Sequence, residues 1–151
     1  MTWLLDQLST SRASFKIIVN GGQVVSPAKV FENMANYEAE RTYLLKELKN
    51  RKISGVLFFT GDRHISDLNK LEREGTYPLY DLTVSPMTAG KADAVKLDYN
   101  ETLVPGTLVQ ERAFSKIEVT GPLKDRTLTI TLFNVKGEVL WTKELKSNLL
   151  K

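Results

Sequence analysis

Apolar side chains recur at intervals of three and four in two stretches near the start of the chain, residues 2–13 and 37–49. This spacing places them on one face of an α-helix, so the pattern predicts two amphipathic helices. Thr2 opens the first stretch and Asn36 immediately precedes the second. Each offers a side-chain oxygen suited to an N-cap. We therefore expect a short first helix and a longer second one.

Compact apolar runs predict strands at residues 15–19, 53–60 and 80–84. The middle run, ISGVLFFT, is apolar at consecutive positions rather than at alternate ones. Such a run is typical of a strand covered on both faces in a layered α/β protein. Between the last two runs, residues 66–73 have the spacing of a short helix, on which Asp67 would face solvent.

After residue 106 the pattern changes to strand-like segments separated by turn residues. Strands are predicted at residues 107–113, 114–120, 127–133 and 139–145, and alternation of apolar and threonine positions is clearest in the third. A long, weakly patterned loop over residues 86–106 comes before them. The chain is therefore predicted to be a single mixed α/β domain over its 151 residues, ending in an antiparallel meander.

Composition excludes several kinds of site. The chain has no cysteine, which rules out a disulfide framework, a cysteine-ligated zinc site and a thiol nucleophile. Its single histidine rules out a metal centre built mainly from imidazoles of this chain. Its net charge of +3 is spread along the sequence, and no basic groove or aromatic platform for nucleic acid stands out. No apolar run is long enough for a membrane span, and no signal peptide is recognisable, so the compartment is left open.

The residues that carry candidate chemistry follow the buried strand directly, as Gly61-Asp62-Arg63-His64. Ligand sites in open α/β sheets lie beyond the carboxyl ends of the strands. In an extended segment Asp62 and His64 would point the same way, and a carboxylate with an imidazole suits a divalent metal. The alternative is that Asp62 caps the following helix and His64 makes a local hydrogen bond.

Two further side chains are candidates for contacting a substrate. The guanidinium of Arg63 offers the two-pronged geometry that phosphate prefers, although a surface or ion-pairing role is the alternative. Ser85 supplies a hydroxyl near the end of a strand, where it would line a pocket or form part of a turn. Gly21 and Gly22, which follow the first strand, are interpreted as an ordinary loop, with an anion-binding backbone nest as the alternative.

Several segments, taken in order, resemble the C-terminal half of the alkaline phosphatase D (PhoD-like) family of metallophosphoesterases. The matching segments are WL at 3–4, FKIIVN at 15–20, NYEAER at 36–41, LL at 44–45, GVLFFTGDRH at 55–64, YDLTVSPMT at 80–88, and IEV and GP within 117–122. The resemblance spans most of the chain.

The resemblance implies a phosphomonoesterase or phosphodiesterase built on a four-layer αββα sandwich. It implies a metal pair, with Ca²⁺ and Fe³⁺ as the expected ions and Mn²⁺ or Zn²⁺ as alternatives. Carried over by position, Asp62 and His64 fall on the last metal-binding motif of the family, and Arg63 between them would face the phosphate as a catalytic and substrate-binding residue.

The same resemblance implies an incomplete metal site, because the family's earlier metal motifs precede anything that matches residue 1. Asp67, Asp81, Asp93 and Asp98 are further available carboxylates, of which Asp67 and Asp81 fall on no recognisable metal motif. The expected partners are a small phosphoester substrate and the upstream half of the catalytic domain or another protomer. The alternative function is a non-catalytic scaffold or interaction domain derived from this fold. Family members are often exported.

Overall fold

The structure, a computed structural model, describes residues 1–90 and 100–151. Its regular elements comprise two helices and seven strands within these ranges. They are, in chain order, α1 (Thr2–Thr10), β1 (Lys16–Val19), α2 (Glu38–Asn50), β2 (Val56–Thr60), β3 (Asp67–Leu71), β4 (Leu79–Thr83), β5 (Ala113–Thr120), β6 (Thr127–Asn134) and β7 (Val139–Lys146). Short 3₁₀ turns span Met34–Asn36 and Ser147–Leu149. No helix in the described ranges is long and apolar enough to cross a membrane.

The first sheet has the strand order β1-β2-β4-β3. Strands β1, β2 and β4 run parallel, and β3 pairs antiparallel with β4. The central position of β2 explains its continuous apolar sequence, since four of its five residues are buried and the fifth is partly buried. The prediction of a strand covered on both faces is confirmed, although the strand begins at Val56 because Gly55 has a positive φ of 72°.

The predicted short helix over residues 66–73 is wrong: this segment forms β3. Asp67 is consequently not a solvent-facing helical residue, because only 2% of it is exposed. The local spacing is compatible with a helix, but the ladder with β4 supplies backbone partners from Leu79 to Thr83. Contacts distant in sequence therefore decide the conformation of this segment.

The second sheet is an antiparallel meander with the order β5-β6-β7, as predicted. In β6, buried positions alternate strictly with half-buried ones, which matches the alternation in the sequence. The strand predicted at residues 107–113 does not form; Val109 makes only an isolated antiparallel bridge with Ser66, and β5 starts at Ala113. Of the predicted loop over residues 86–106, the described parts contain no helix or strand, and 91–99 lie outside the description.

The two sheets and both helices share one hydrophobic core. Trp141 of β7 donates from Nε1 to the carbonyl of Thr107 (2.9 Å), and the amide of Gly55 donates to Leu150 O (2.7 Å). These bonds connect β7 to the segment before β5, and the chain end to the residue before β2. Because the two sheets bury their apolar surface together, the described residues fold around one core rather than two.

Details at the helix starts differ from the predictions. Neither helix has a side-chain cap hydrogen bond, and α1 begins at Thr2 itself. Asn36 lies in a 3₁₀ turn, where its side-chain Nδ2 donates to Phe31 O (2.6 Å). Trp3 is 74% exposed, and Leu5 and Leu8 are the buried residues of α1.

Candidate functional site

The loop that follows β2 holds Asp62 and His64 in an unusual backbone conformation. Both residues have positive φ, 61° at Asp62 and 56° at His64, in the left-handed region. The segment is therefore not extended, and the argument that the two side chains point the same way by strand alternation is wrong. The Asp62 side chain is exposed, and Arg63 and His64 are half-buried. Two residues with left-handed backbone conformation so close together near a strand end are unfavourable by themselves, so the surrounding contacts must hold them in it.

Ser85, just past the end of β4, is one of the residues that impose it. Its Oγ accepts a hydrogen bond from the backbone N–H of His64 (3.0 Å). Ser66 Oγ in turn donates to Ser85 O (3.2 Å) and accepts from Ser85 N (3.2 Å). The predicted substrate-binding serine is thus 8% exposed and bonded to the backbone of the candidate metal loop.

The glycine loop after β1 holds the other side of the candidate loop. Gly61 N donates to Gly21 O (3.0 Å), and Asn20 Nδ2 donates to Gly22 O (2.7 Å). A Cβ at Gly22 would lie 2.4 Å from Glu32 O, so only glycine fits this close approach. The segment therefore serves as packing for the candidate loop, in agreement with its interpretation as an ordinary loop.

Asp62 and Arg63, although adjacent in sequence, line different cavities. Asp62 borders a cavity of about 370 Å³ together with Asn20, Val84 and Ser115. Arg63 borders a smaller cavity, of about 80 Å³, whose other walls include Gln23, Ser26, Asp67 and Asn100. His64 borders neither of these two cavities. The loop thus presents its carboxylate and its guanidinium to separate spaces.

The guanidinium of Arg63 has two neighbours that define its environment. Its central carbon lies 5.2 Å from the centroid of the Phe31 ring, within the range of a cation–π interaction. Its positive charge also acts on the pKa of Asp67, which it lowers, in opposition to the larger effect of burial. Arg63 is therefore placed between an exposed aromatic ring and a buried carboxylate.

Asp81 is a buried carboxylate beneath the loop. The sequence analysis correctly predicted a strand here but did not identify the role of this residue. Asp81 of β4 is fully buried, and its Oδ2 accepts from the backbone N–H groups of Val24 (2.7 Å) and Val25 (2.9 Å). Its Oδ1 accepts from Thr60 Oγ1 (2.7 Å), at the last residue of β2. Burial raises the pKa of Asp81 to about 6, because desolvation outweighs these three hydrogen bonds.

Arg41 of α2 completes this arrangement from the opposite side. Its Nε donates to Val24 O (2.8 Å) and its Nη2 to Val25 O (2.7 Å). Asp81 and Arg41 thus hold the same two residues, Asp81 through their N–H groups and Arg41 through their carbonyl groups. The only sequence signal for this was a carboxylate inside an otherwise apolar strand.

Asp67 belongs to a second, adjoining set of buried polar groups. Gln23 Nε2 donates to both of its carboxylate oxygens (3.0 and 3.2 Å) and to Thr83 Oγ1 (2.8 Å). Asn69 Nδ2 donates to Asp67 Oδ1 (3.0 Å). Burial raises the pKa of Asp67, and hydrogen bonds from Thr83, Asn69 and Gln23 act in the opposite direction. No sequence signal pointed to it, because its segment has helical spacing.

The donor atoms of Asp62 and His64 fit a metal by type but not by number. Neither side chain makes a hydrogen bond to another residue within 1–90 and 100–151. No group of three or more His, Cys, Asp or Glu side chains able to hold a metal occurs among those residues, and Asp93 and Asp98 lie outside them. A carboxylate and an imidazole supply only part of the four to eight ligands that common protein-bound metals take.

Comparison with protein families identifies the class to which this arrangement belongs. A family model described as PhoD-like phosphatase matches residues 1–121. Since the match covers most of the 151 residues, the chain belongs to the PhoD-like phosphatase family, whose members are generally metal-dependent hydrolases. The predicted family is confirmed. No curated protein matches the chain.

Comparison with solved structures confirms the mixed α/β fold with its C-terminal antiparallel sheet. The structure of PhoD aligns with a TM-score of 0.66 at 13% identity, covering 95% of this chain and 34% of PhoD. Vps29 from Chaetomium thermophilum aligns with a TM-score of 0.39 at 15% identity, over 91% of this chain and 58% of that protein, which is too low to indicate a shared fold. The chain spans about a third of the length of PhoD.

Proposed function

We propose that this chain supplies Asp62 and His64 to the metal centre of a phosphoester hydrolase of the PhoD-like type. The observation that carries the proposal is the loop after β2. It is bonded in place by Ser85 and Gly21, and it leaves the Asp62 and His64 side chains without hydrogen bonds among the described residues. A loop whose backbone is fixed and whose donor atoms are unused is suited to binding a ligand.

The chemistry divides between the metal centre and the residues of this chain. When bound, a metal pair supplies Lewis acidity toward the phosphoryl oxygen; Ca²⁺ and Fe³⁺ are the proposed ions, with Mn²⁺ or Zn²⁺ as alternatives. Asp62 would donate carboxylate oxygens and His64 a neutral imidazole nitrogen. Ser85 would keep the His64 backbone in its left-handed conformation and so act as a positioning residue. The remaining donors must come from outside the residues that the structure describes.

Arg63 is proposed to bind the phosphate group of the substrate, a small phosphomonoester or phosphodiester. Guanidinium offers two parallel N–H donors to phosphate oxygens, and this residue lies between the two proposed metal ligands in sequence. In the structure it faces Asp67 and Phe31 instead. Phosphate binding would therefore require the guanidinium to exchange the neighbourhood of Asp67 for that of the substrate.

The test is His64→Ala in the complete native reading frame that contains these residues. Hydrolysis of bis(p-nitrophenyl) phosphate is measured with Ca²⁺ or Mn²⁺ added, and we expect the rate to fall by at least about 100-fold, since even residues that only support metal ligands often contribute 10–100-fold. Asp125→Ala, in an exposed turn far from the loop, is the matched control and should retain full activity. Undiminished activity of the His64 variant would overturn the metal role.

A second candidate function is a non-catalytic scaffold. It is favoured by one observation: two metal donors without a third in the described residues. The same experiment separates the two proposals, because a scaffold would show no metal-dependent hydrolysis in the native reading frame, with or without His64.

A further inference from the structure

An exposed aromatic ring lies beside the guanidinium of the candidate loop. Phe31, in the segment between β1 and α2, is 78% exposed. Its ring centroid is 5.2 Å from the central carbon of the Arg63 guanidinium. Among the described residues, the hydrophobic core and the side chains packed on it do not include Phe31. The ring therefore belongs to the surroundings of Arg63 rather than to the interior.

The backbone of Phe31 has the same unusual conformation as the candidate loop. Its φ is 45°, in the left-handed region that residues with a Cβ rarely adopt. Of the four described residues other than glycine with positive φ, three are Phe31, Asp62 and His64. These three flank Arg63 or contact its side chain. Single exposed apolar side chains are ordinary, but backbone strain concentrated in this way is typical of active sites and ligand-binding sites.

Contacts of the neighbouring residues hold Phe31 in this conformation. Asn36 Nδ2 donates to Phe31 O (2.6 Å). The next residue, Glu32, packs so closely on Gly22 that a Cβ at Gly22 would collide with Glu32 O. The backbone is thus fixed while the ring stays in solvent. A binding group that is already in position loses little conformational entropy when a ligand reaches it.

The guanidinium and the ring together match the two ends of an aromatic phosphoester. Arg63 offers parallel N–H donors to phosphate oxygens. In an aryl ester a single oxygen joins phosphorus to the ring, so the phosphate and the ring of such a ligand are close neighbours. Phe31 lies equally close to the guanidinium and offers a π face for offset stacking. An alkyl ester has no π face and would gain only part of this contact.

We propose that Phe31 is a specificity-determining residue, whose ring stacks on an aromatic group attached to the phosphate that Arg63 binds. The substrate class is then an aromatic phosphoester. This inference rests on the phosphate-binding role proposed above for Arg63. It requires no contact between Phe31 and a metal, so it can be measured through binding alone.

The test compares two probes that cannot be hydrolysed, phenylphosphonate and methylphosphonate, which share the acidic group and differ in the ring. Isothermal titration calorimetry on the native protein should give an affinity about ten-fold higher for phenylphosphonate, the size expected of one aromatic stacking contact. Phe31→Ala should abolish this preference. Phe31→Tyr keeps the ring and should retain it.

Two further variants separate the ring from the backbone and from exposed rings in general. Glycine adopts positive φ without strain, so Phe31→Gly should keep the loop conformation and be at least as stable to urea as Phe31→Ala. It should nevertheless lose the preference, because the ring is gone. Trp3→Ala removes a similarly exposed ring (74%) from α1, and this matched control should keep the preference.

Three results would overturn the proposal. They are the absence of a preference in the native protein (no measurable binding of phenylphosphonate included), a preference that survives Phe31→Ala, and an equal loss in Trp3→Ala. None of them depends on catalysis. Undiminished hydrolysis by His64→Ala with the preference intact would contradict the metal role alone. Metal-dependent hydrolysis by a protein without the preference would contradict the role of Phe31 alone.

Discussion

The two sheets of this molecule are stabilised by different kinds of interior. The meander β5-β6-β7 buries apolar side chains at alternate positions, such as Leu128, Ile130 and Leu132. The sheet β1-β2-β4-β3 buries carboxylates and amides as well, among them Asp67 and Asp81, each held by groups distant in sequence. One sheet can therefore form from local alternation and register, whereas the other depends on a set of long-range hydrogen bonds that must all be made.

The polar interior of the first sheet lies close to the candidate site. Thr60, the last residue before the Asp62 loop, donates to Asp81, and Gln23 connects Asp67 with Thr83 at the end of β4. The polar interior thus lies directly beneath the loop that carries the proposed metal ligands. Buried polar networks of this kind define a single arrangement of the strand ends when every partner is present.

The largest effect is expected from Asp81→Ala. The substitution leaves the amides of Val24 and Val25 buried without an acceptor, so we expect a loss of about 4 kcal/mol in the free energy of unfolding, measured by urea denaturation. Asp81→Asn is the matched control: its carbonyl can accept from both amides and its NH₂ group can donate to Thr60 Oγ1. It should lose much less. Equal losses in the two variants would contradict the hydrogen-bond explanation.

A somewhat smaller effect is expected in the other sheet from Leu132→Ala. Leu132 is fully buried in β6, and removing its side chain leaves a cavity, which should cost about 3 kcal/mol in the same measurement. Leu132→Met preserves most of the volume and should cost less than about 1.5 kcal/mol. If methionine were as damaging as alanine, shape complementarity rather than buried volume would stabilise the meander.

The smallest expected effect is a change in the free energy of unfolding with pH, which arises from the buried carboxylates of the first sheet. Burial raises the pKa of Asp81 from an ordinary value of 3.8 to about 6, so between these values the folded state retains a proton that the unfolded state releases. Stability should therefore fall as pH rises, by an amount on the order of 2 kcal/mol between pH 4 and pH 7. Urea midpoints at several pH values measure this slope.

Asp81→Asn provides the control for the pH dependence, because it removes the titrating group and retains the hydrogen bonds. Its slope should be reduced but not abolished, since burial also raises the pKa of Asp67. A variant with the slope of the parent chain would show that other groups are responsible. Leu132→Met, in the apolar sheet, should keep the parent slope.

The extent to which sequence predicted the fold also differs between the two sheets. β6 and β7 fall within one residue of their predicted bounds, because alternation with period two is a direct consequence of one buried and one exposed face. β3 was mistaken for a helix, because Asp67 and Asn69 become suitable interior residues only when Gln23, Thr83 and Asn100 are brought to them. Intrinsic preference cannot represent partners that are distant in sequence.

For the candidate site, sequence named the loop but not its geometry. The position of Asp62 and His64 beyond a buried strand was predicted, and the structure has them there. Their left-handed backbone and the hydrogen bond from His64 N to Ser85 were not predictable, because they depend on the pairing of β2 with β4. Whether Asp62, Arg63, His64 and Ser85 perform their proposed roles stays a prediction for the experiments above.

The sequence by itself determined the family, the central buried strand, the meander and the position of the candidate loop. These features are encoded by short motifs and by the period of apolar residues, which each segment carries alone. Only the tertiary structure decided the strand conformation of β3, the buried positions of Asp67 and Asp81, and the left-handed backbone at Asp62 and His64. Each of these depends on hydrogen-bond partners or neighbours supplied by another part of the chain, so no single segment contains the information.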